Sequence, residues 1–195
     1  HHALADRAQL EAGETVLVLG AAGGVGSAAV QIAKAMGAKV VAAVSSPEKA
    51  AFCTRLGADL AIDTSAQPLR DALKAASIAP DVVYDPVGGD LAEAAFRSIA
   101  WRGRYLVVGF ASGPIPALPF NLALLKGASI VGVFWGDFVR REPKAFGQEI
   151  AQLLAWYGQG RVKPAIDARL PMAALPEAYA RMASRKVMGK LVLVN

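Results

Sequence analysis

From Gly13 to Ala38 the chain reads GETVLVLGAAGGVGSAAVQIAKAMGA, a strand, a glycine-rich turn and a helix in succession. Thr15 to Leu19 is short, apolar and rich in β-branched residues, as a strand buried on both faces of a parallel sheet must be. Gly20 opens the turn, and every residue from Ala21 to Gly26 is small or slim, so the backbone can reverse tightly and a ligand can approach the main chain. From Gly24 onward Val25, Ala29, Ile32, Ala33 and Met36 recur at helical spacing, and Gly37 stands where a C-terminal cap belongs. Free N–H groups and the positive end of the helix macrodipole then face the space above the turn, which suits a pyrophosphate held by Ala22, Gly23, Gly24 and Val25. Aligning GxGxxG with Ala21 to Gly26 puts alanine at the first glycine position, so the fingerprint is not strict. Its context is right, with a strand before it, a helix after it and a second strand at Lys39 to Val44. The alternative is a tight turn between packed elements that binds nothing.

The end of the second strand bears on which dinucleotide fits. An enzyme for NAD places Asp or Glu there to bind the ribose 2′-hydroxyl. This chain offers Val44, Ser45 and Ser46, then Lys49. Hydroxyls and an ammonium suit a 2′-phosphate, which a carboxylate would repel, so NADPH is expected over NADH. Ser46 and Pro47 also read as the cap and first position of a helix, and both roles can coexist.

The rest of the chain continues the alternation of strand and helix. Leu60 to Ile62, Asp81 to Tyr84, Gly103 to Gly109 and Ser129 to Trp135 read as further strands, separated by helices at Pro68 to Ser77 and Leu91 to Ala100. The fold class expected is α/β: a Rossmann-type, doubly wound, six-stranded parallel sheet in a three-layer α/β/α arrangement. In such a sheet the loops beyond the carboxyl ends of the strands form the ligand crevice. That brings in Asp85 and Val87, with Asp85 expected to orient rather than act as a base, and Phe134 and Trp135 as a wall that ordinary core packing would explain equally. Lys144 to Tyr157 reads as a helix with Phe146, Ile150, Leu153, Leu154 and Tyr157 on its inward stripe.

Bulk properties narrow the function. With 54% hydrophobic and 19% charged residues, 195 residues can bury a full core and are not disordered. The net charge of +5 comes from scattered Lys and Arg, so nucleic acid is not an expected partner. The single cysteine, Cys53, rules out an internal disulfide and a multi-cysteine zinc site, and its place in a helix suggests a packed thiol. Neither a long apolar run nor a signal-peptide pattern is present, so no membrane partner and a cytoplasmic location are expected. No Ser, His or Cys constellation for nucleophilic catalysis appears, and neither a catalytic residue nor a metal ligand is assigned.

The run from Gly13 to Ala43 resembles the cofactor domain of zinc-independent medium-chain dehydrogenases/reductases, in particular the NADPH:quinone oxidoreductase group that includes zeta-crystallin. LGAD at Leu56, DVVYDPVGGD at Asp81, WRGRYLVVGFASG at Trp101 and MGKLVLVN at Met188 follow in that family's order. His2 matches a histidine that precedes the Ala-Leu pair in relatives. The resemblance implies an NAD(P)-binding Rossmann domain over residues 1–160 and a C-terminal segment over 161–195 that returns to a catalytic domain. That domain, β-rich and preceding this point in full-length relatives, is absent from this sequence. The resemblance also implies that Thr64 lies near the adenosine phosphate, and that Gly109, Phe110 and Ala111 lie beside the nicotinamide and its ribose. Hydride transfer from NADPH to a quinone, enone or similar activated alkene is then expected, and a homodimer through the sixth strand. Alternatives on this scaffold are an enoyl-thioester reductase, a zinc-dependent alcohol dehydrogenase, or a non-catalytic NADPH sensor that binds RNA.

Overall fold

The computed structural model describes residues 1–195. Six parallel strands form one sheet in the order β3-β2-β1-β4-β5-β6. They are β1 (Thr15–Leu19), β2 (Lys39–Val44), β3 (Leu60–Asp63), β4 (Val82–Asp85), β5 (Arg104–Val107) and β6 (Ser129–Gly132). Helices α1 (Gly26–Ala35), α2 (Pro47–Arg55), α3 (Leu69–Ala75), α4 (Leu91–Ser98) and α5 (Asn121–Lys126) make the crossovers. The doubly wound α/β expectation holds, and the strand order reverses between β1 and β4, where a crevice opens at the carboxyl ends.

Alternation along each strand divides the core into two layers. Val16, Val18, Val40, Ala42, Val82 and Tyr84 face α1 and α2, among them Val30, Ala33 and Cys53. Leu17, Leu19, Val41, Val83 and Tyr105 face the other way, toward Leu73 of α3, Phe96 of α4 and Ile99 just beyond it. Val16 through Leu19 are wholly buried, as the central strand of a two-sided sheet requires.

After β6 the chain forms α6 (Trp135–Arg141), α7 (Pro143–Gly158), β7 (Ile166–Pro171), α8 (Leu175–Ala183) and β8 (Lys190–Val194), with β7 and β8 pairing in parallel as a separate two-stranded sheet. This C-terminal unit is tied to the Rossmann layers by hydrogen bonds from its main-chain amides. The Gly189 amide donates to the Ala22 carbonyl at 2.8 Å, and the Lys163 amide to Gln31 Oε1 at 2.8 Å.

Four local expectations are corrected. The fifth strand is shorter than Gly103 to Gly109, because the chain turns away beyond Val107 to build a loop over β4. The sixth strand ends at Gly132, and Phe134 and Trp135 lie outside it. Phe134 precedes α6 and Trp135 is its first residue, while Asp137 in the first turn accepts from Arg140 and Arg141. The first helix begins at Gly26 rather than Gly24, which leaves Val25 at its N-cap and 46% exposed. On α7 Trp156, beneath the Arg161 guanidinium, is buried and Leu153 packs against the core as expected, while Ile150, Leu154 and Tyr157 face outward. Apolar residues cover so much of that helix's circumference that periodicity identifies the helix without choosing its buried side.

Candidate functional site

The crevice is built where the backbone has least room. Gly20 adopts φ +58°, and a Cβ there would come within 2.7 Å of Val87 Cγ2, so the turn after β1 and the loop after β4 touch. A Cβ on Gly26 would lie 2.3 Å from the Gly20 carbonyl oxygen, which explains glycine at this position as the close approach of α1 to β1. Gly23 has more space, its nearest neighbour at 3.4 Å. No side chain caps α1 and its first turn holds no acidic residue, so its positive dipole end meets no side-chain anion, although the Ser27 amide donates to the Gly23 carbonyl at 2.8 Å. The Lys190 side chain from β8 lies against Gly24, its Nζ 3.0 Å from the place of a Cβ there. An uncapped helix end with a lysine beside it fits a dianionic pyrophosphate.

At the end of β2, Ser46 caps α2 by accepting from the Lys49 amide at 3.2 Å. The Lys49 ammonium donates to Ser45 Oγ at 3.0 Å and to the Arg185 carbonyl at 2.8 Å. An open cleft of about 730 Å³ lies between this corner and the C-terminal unit. Arg181, Arg185 and Lys186 line it with Lys49, and so do Glu48 and Asp167. Asp167 is paired to Arg181 at 2.8 Å, whereas Arg185 and Lys186 form no ion pair. Sequence reading missed Arg185 and Lys186; the signal was a basic doublet just before MGK, without any indication that it returns to β2. Thr64, at the exit of β3, spends its hydroxyl on the Val44 carbonyl at 2.9 Å.

On the other side of the switch point, Asp85 is 3% exposed. Its Oδ1 accepts from the amides of Val87 and Gly88, each at 2.8 Å, and its Oδ2 from the Tyr105 hydroxyl at 2.5 Å. Burial foremost, and then the carboxylate, push the Tyr105 hydroxyl far above the ordinary tyrosine range, so it stays a donor. Asp85 therefore has no free face toward the crevice. The Val87 carbonyl accepts from Ser112 Oγ at 2.8 Å and from the Ser112 amide at 3.0 Å, and the Pro86 carbonyl from the Ala111 amide at 3.1 Å. These bonds zip the β4 loop to Ala111 and Ser112, the Gly109 amide adds a bond to the Asp85 carbonyl at 3.3 Å, and Phe110 between them is 40% exposed. Phe134 is 76% exposed beyond β6, and Trp135 leans edge-on against Phe146 with ring centroids 6.0 Å apart. The fold thus brings Ser45, Ser46 and Lys49 together on one side of the β1–β4 reversal and Asp85, Val87 and Gly109 to Ala111 on the other, whereas Trp135 packs on Phe146 of α7 and Phe134 stands exposed. No group of three or more His, Cys, Asp or Glu side chains is placed to hold a metal, and no helix is long and apolar enough to cross a membrane.

The family described as zinc-binding dehydrogenase matches residues 24–156. The chain is 37% identical over 190 residues to quinone oxidoreductase-like protein 2 of Mus musculus, spanning 96% of this chain and 54% of that one. A probable oxidoreductase from Mycobacterium abscessus matches 100% of this chain with 58% of its own, at TM-score 0.86 and 39% identity. The quinone oxidoreductase of Thermus thermophilus, solved also in complex with NADPH, covers 98% of this chain with 61% of its own, at TM-score 0.86 and 32% identity. The chain spans about half the length of the relatives it matches.

Proposed function

Because the chain belongs to the zinc-binding dehydrogenase family, we propose that its glycine turn and β2 exit hold NADPH for an oxidoreductase of the quinone oxidoreductase type. The observation that carries the reading is the β2 exit: Ser45, Ser46 and Lys49 stand opposite Arg185 and Lys186, and no acidic residue occupies the strand's end. Glu48 is the one unpaired carboxylate lining that cleft, against three unpaired cations, so the local field favours a 2′-phosphate. The amides at the start of α1 hold the pyrophosphate, and Lys190 neutralises part of its charge. When bound, NADPH supplies a hydride, and the acceptor class is an activated alkene such as a quinone or enone. The chain's own part is to bind, to orient the nicotinamide against the zipped β4 and β5 loops, and to keep the adenosine end fixed. The solved relative with NADPH supports the cofactor, and the named relatives support the acceptor class.

The same reading includes a dimer. β6 is the outer strand of the sheet, with Ile130 43% exposed; Arg7 Nε donates to the Gly132 carbonyl at 3.2 Å, and the remaining ladder groups of that edge are offered to a two-fold copy.

The test is an assay of the full-length protein with NADPH and NADH against quinones, enones and enoyl thioesters. NADPH-linked turnover of quinones or enones is expected. Turnover with NADH alone, or only of thioesters, would replace the proposal.

A further inference from the structure

We infer that Tyr105 is a positioning residue for the nicotinamide half of the cofactor, acting through Asp85 on the main chain of the β4 loop. The inference rests on the NADPH reading above. A dinucleotide lying across the strand reversal puts its adenosine half over β1, β2 and β3 and its other half over β4, β5 and β6. Asp85 closes β4 on that second side, and its carboxylate is directed into the protein.

Tyr105 lies on β5 one layer below, 1% exposed, with its ring fixed against Phe96 at 5.6 Å between centroids. Its hydroxyl supplies the third donor to Asp85, and the two loop amides supply the others. A buried carboxylate is tolerated only when such donors surround it. Here two of the three donors, the Val87 and Gly88 amides, belong to the segment that has to face the cofactor. Gly88 and Gly89, at φ +66° and +63°, give the loop a left-handed path that their lack of side chains leaves loosely fixed by itself, and Val87 lies against Gly20 of the turn after β1. Removing the hydroxyl leaves Asp85 Oδ2 buried without a donor. The carboxylate then turns, and the Val87 and Gly88 amides lose their acceptor. The adenosine corner, built from β2, α2 and the C-terminal unit, shares none of these bonds.

Calorimetry on this chain with two probes, NADPH and adenosine 2′,5′-bisphosphate, separates the halves. Tyr105→Phe keeps the ring and its packing. It should weaken NADPH about tenfold and leave the bisphosphate within about twofold of wild type. Unchanged NADPH affinity would overturn the inference, and so would an equal loss for both probes, which marks a general structural role. Asp85→Asn keeps an acceptor for the loop amides and offers the Tyr105 hydroxyl a donor. It should retain more NADPH affinity than Tyr105→Phe, and the reverse order counts against the inference. Amide exchange at Val87 and Gly88 in the unliganded chain should quicken in Tyr105→Phe, and unchanged rates would also overturn it. A wild-type chain that binds neither probe defeats the NADPH reading and this inference together. Normal bisphosphate binding with NADPH affinity indifferent to Tyr105 defeats the inference alone.

Discussion

Lys49 and Arg185 meet across the cleft, the ammonium of one donating to the main-chain carbonyl of the other at 2.8 Å. The bond joins the first turn of α2 to the turn after α8, so two stretches 136 residues apart in sequence form one cationic corner.

That corner makes the first prediction. Lys49→Ala should weaken NADPH by about 1.5–3 kcal/mol, the range for hydrogen bonds to charged groups, with little effect on NADH. Arg185 sits at φ +57°, where glycine is at ease, so Arg185→Gly removes the guanidinium without straining the turn and should lower NADPH affinity selectively as well. Calorimetry with both cofactors is the check, and equal losses for NADH and NADPH would speak against a 2′-phosphate subsite.

The glycines of the turn should divide into two classes. At Gly26 the nearest atoms to an added Cβ are backbone, at 2.3 and 2.7 Å, and cannot swing aside. Gly26→Ala should therefore cost about 2–3 kcal/mol of stability. Gly23→Val meets its first neighbour at 3.4 Å and should melt close to wild type while losing NADPH, because its side chain fills the space a pyrophosphate needs. Thermal melts paired with binding titrations separate the two.

The edge of β6 yields a third. Ser129 and Val133 donate their amides to the Gly103 and Val107 carbonyls of β5, so by alternation Val131 also points inward while Ile130 and Gly132 point out. Ile130→Pro should remove an outward donor and give a monomer, leaving the β5–β6 ladder in place. Val131→Pro should damage the domain itself. Light scattering at micromolar concentration reads both, and a monomeric wild type would sink the dimer.

Acid sensitivity should centre on Glu14 and Arg104. Two hydrogen bonds at 2.6 and 2.7 Å join them, and Arg104 Nε also donates to the Ala8 carbonyl at 2.9 Å, pinning the N-terminal turn to β5. The Arg104 hydrogen bond holds the Glu14 carboxyl below its ordinary range. A carboxyl depressed by folding adds stability that is complete above its unfolded value and vanishes as the pH falls through the folded one. Arg104→Met should thus lower stability near neutral pH by about 1–2 kcal/mol. The gap between wild type and variant should narrow in acid, as melting curves across pH would record.

Much of this architecture is legible in the residues because its signals are local. A β-branched run followed by slim residues and a period-3.6 helix identifies β1, the turn and α1, and Ser46-Pro47 marks the start of α2 in both readings. The sixth strand fails at Phe134 because an apolar run looks alike whether it extends a strand or opens a helix, and α6 carries no capping side chain to announce itself. The site divides along the same line. Ser45, Ser46 and Lys49 follow from their place after β2, but Arg185, Lys186 and Lys190 reach the cleft only through tertiary folding. Nothing local to Asp85 shows that Tyr105, twenty residues later, takes its second oxygen.

Cys53 has no exposed surface, and burial pushes its thiol up to about 11. At neutral pH almost none of it is the reactive thiolate, and no alkylating reagent can touch the sulfur while α2 stays packed on the sheet. The chain thus carries its own clock. The rate at which an added maleimide consumes its single thiol counts the openings of the α1–α2 layer, and a ligand seated at the β2 exit, on the first turn of the same helix, should slow it without any label or engineered cysteine.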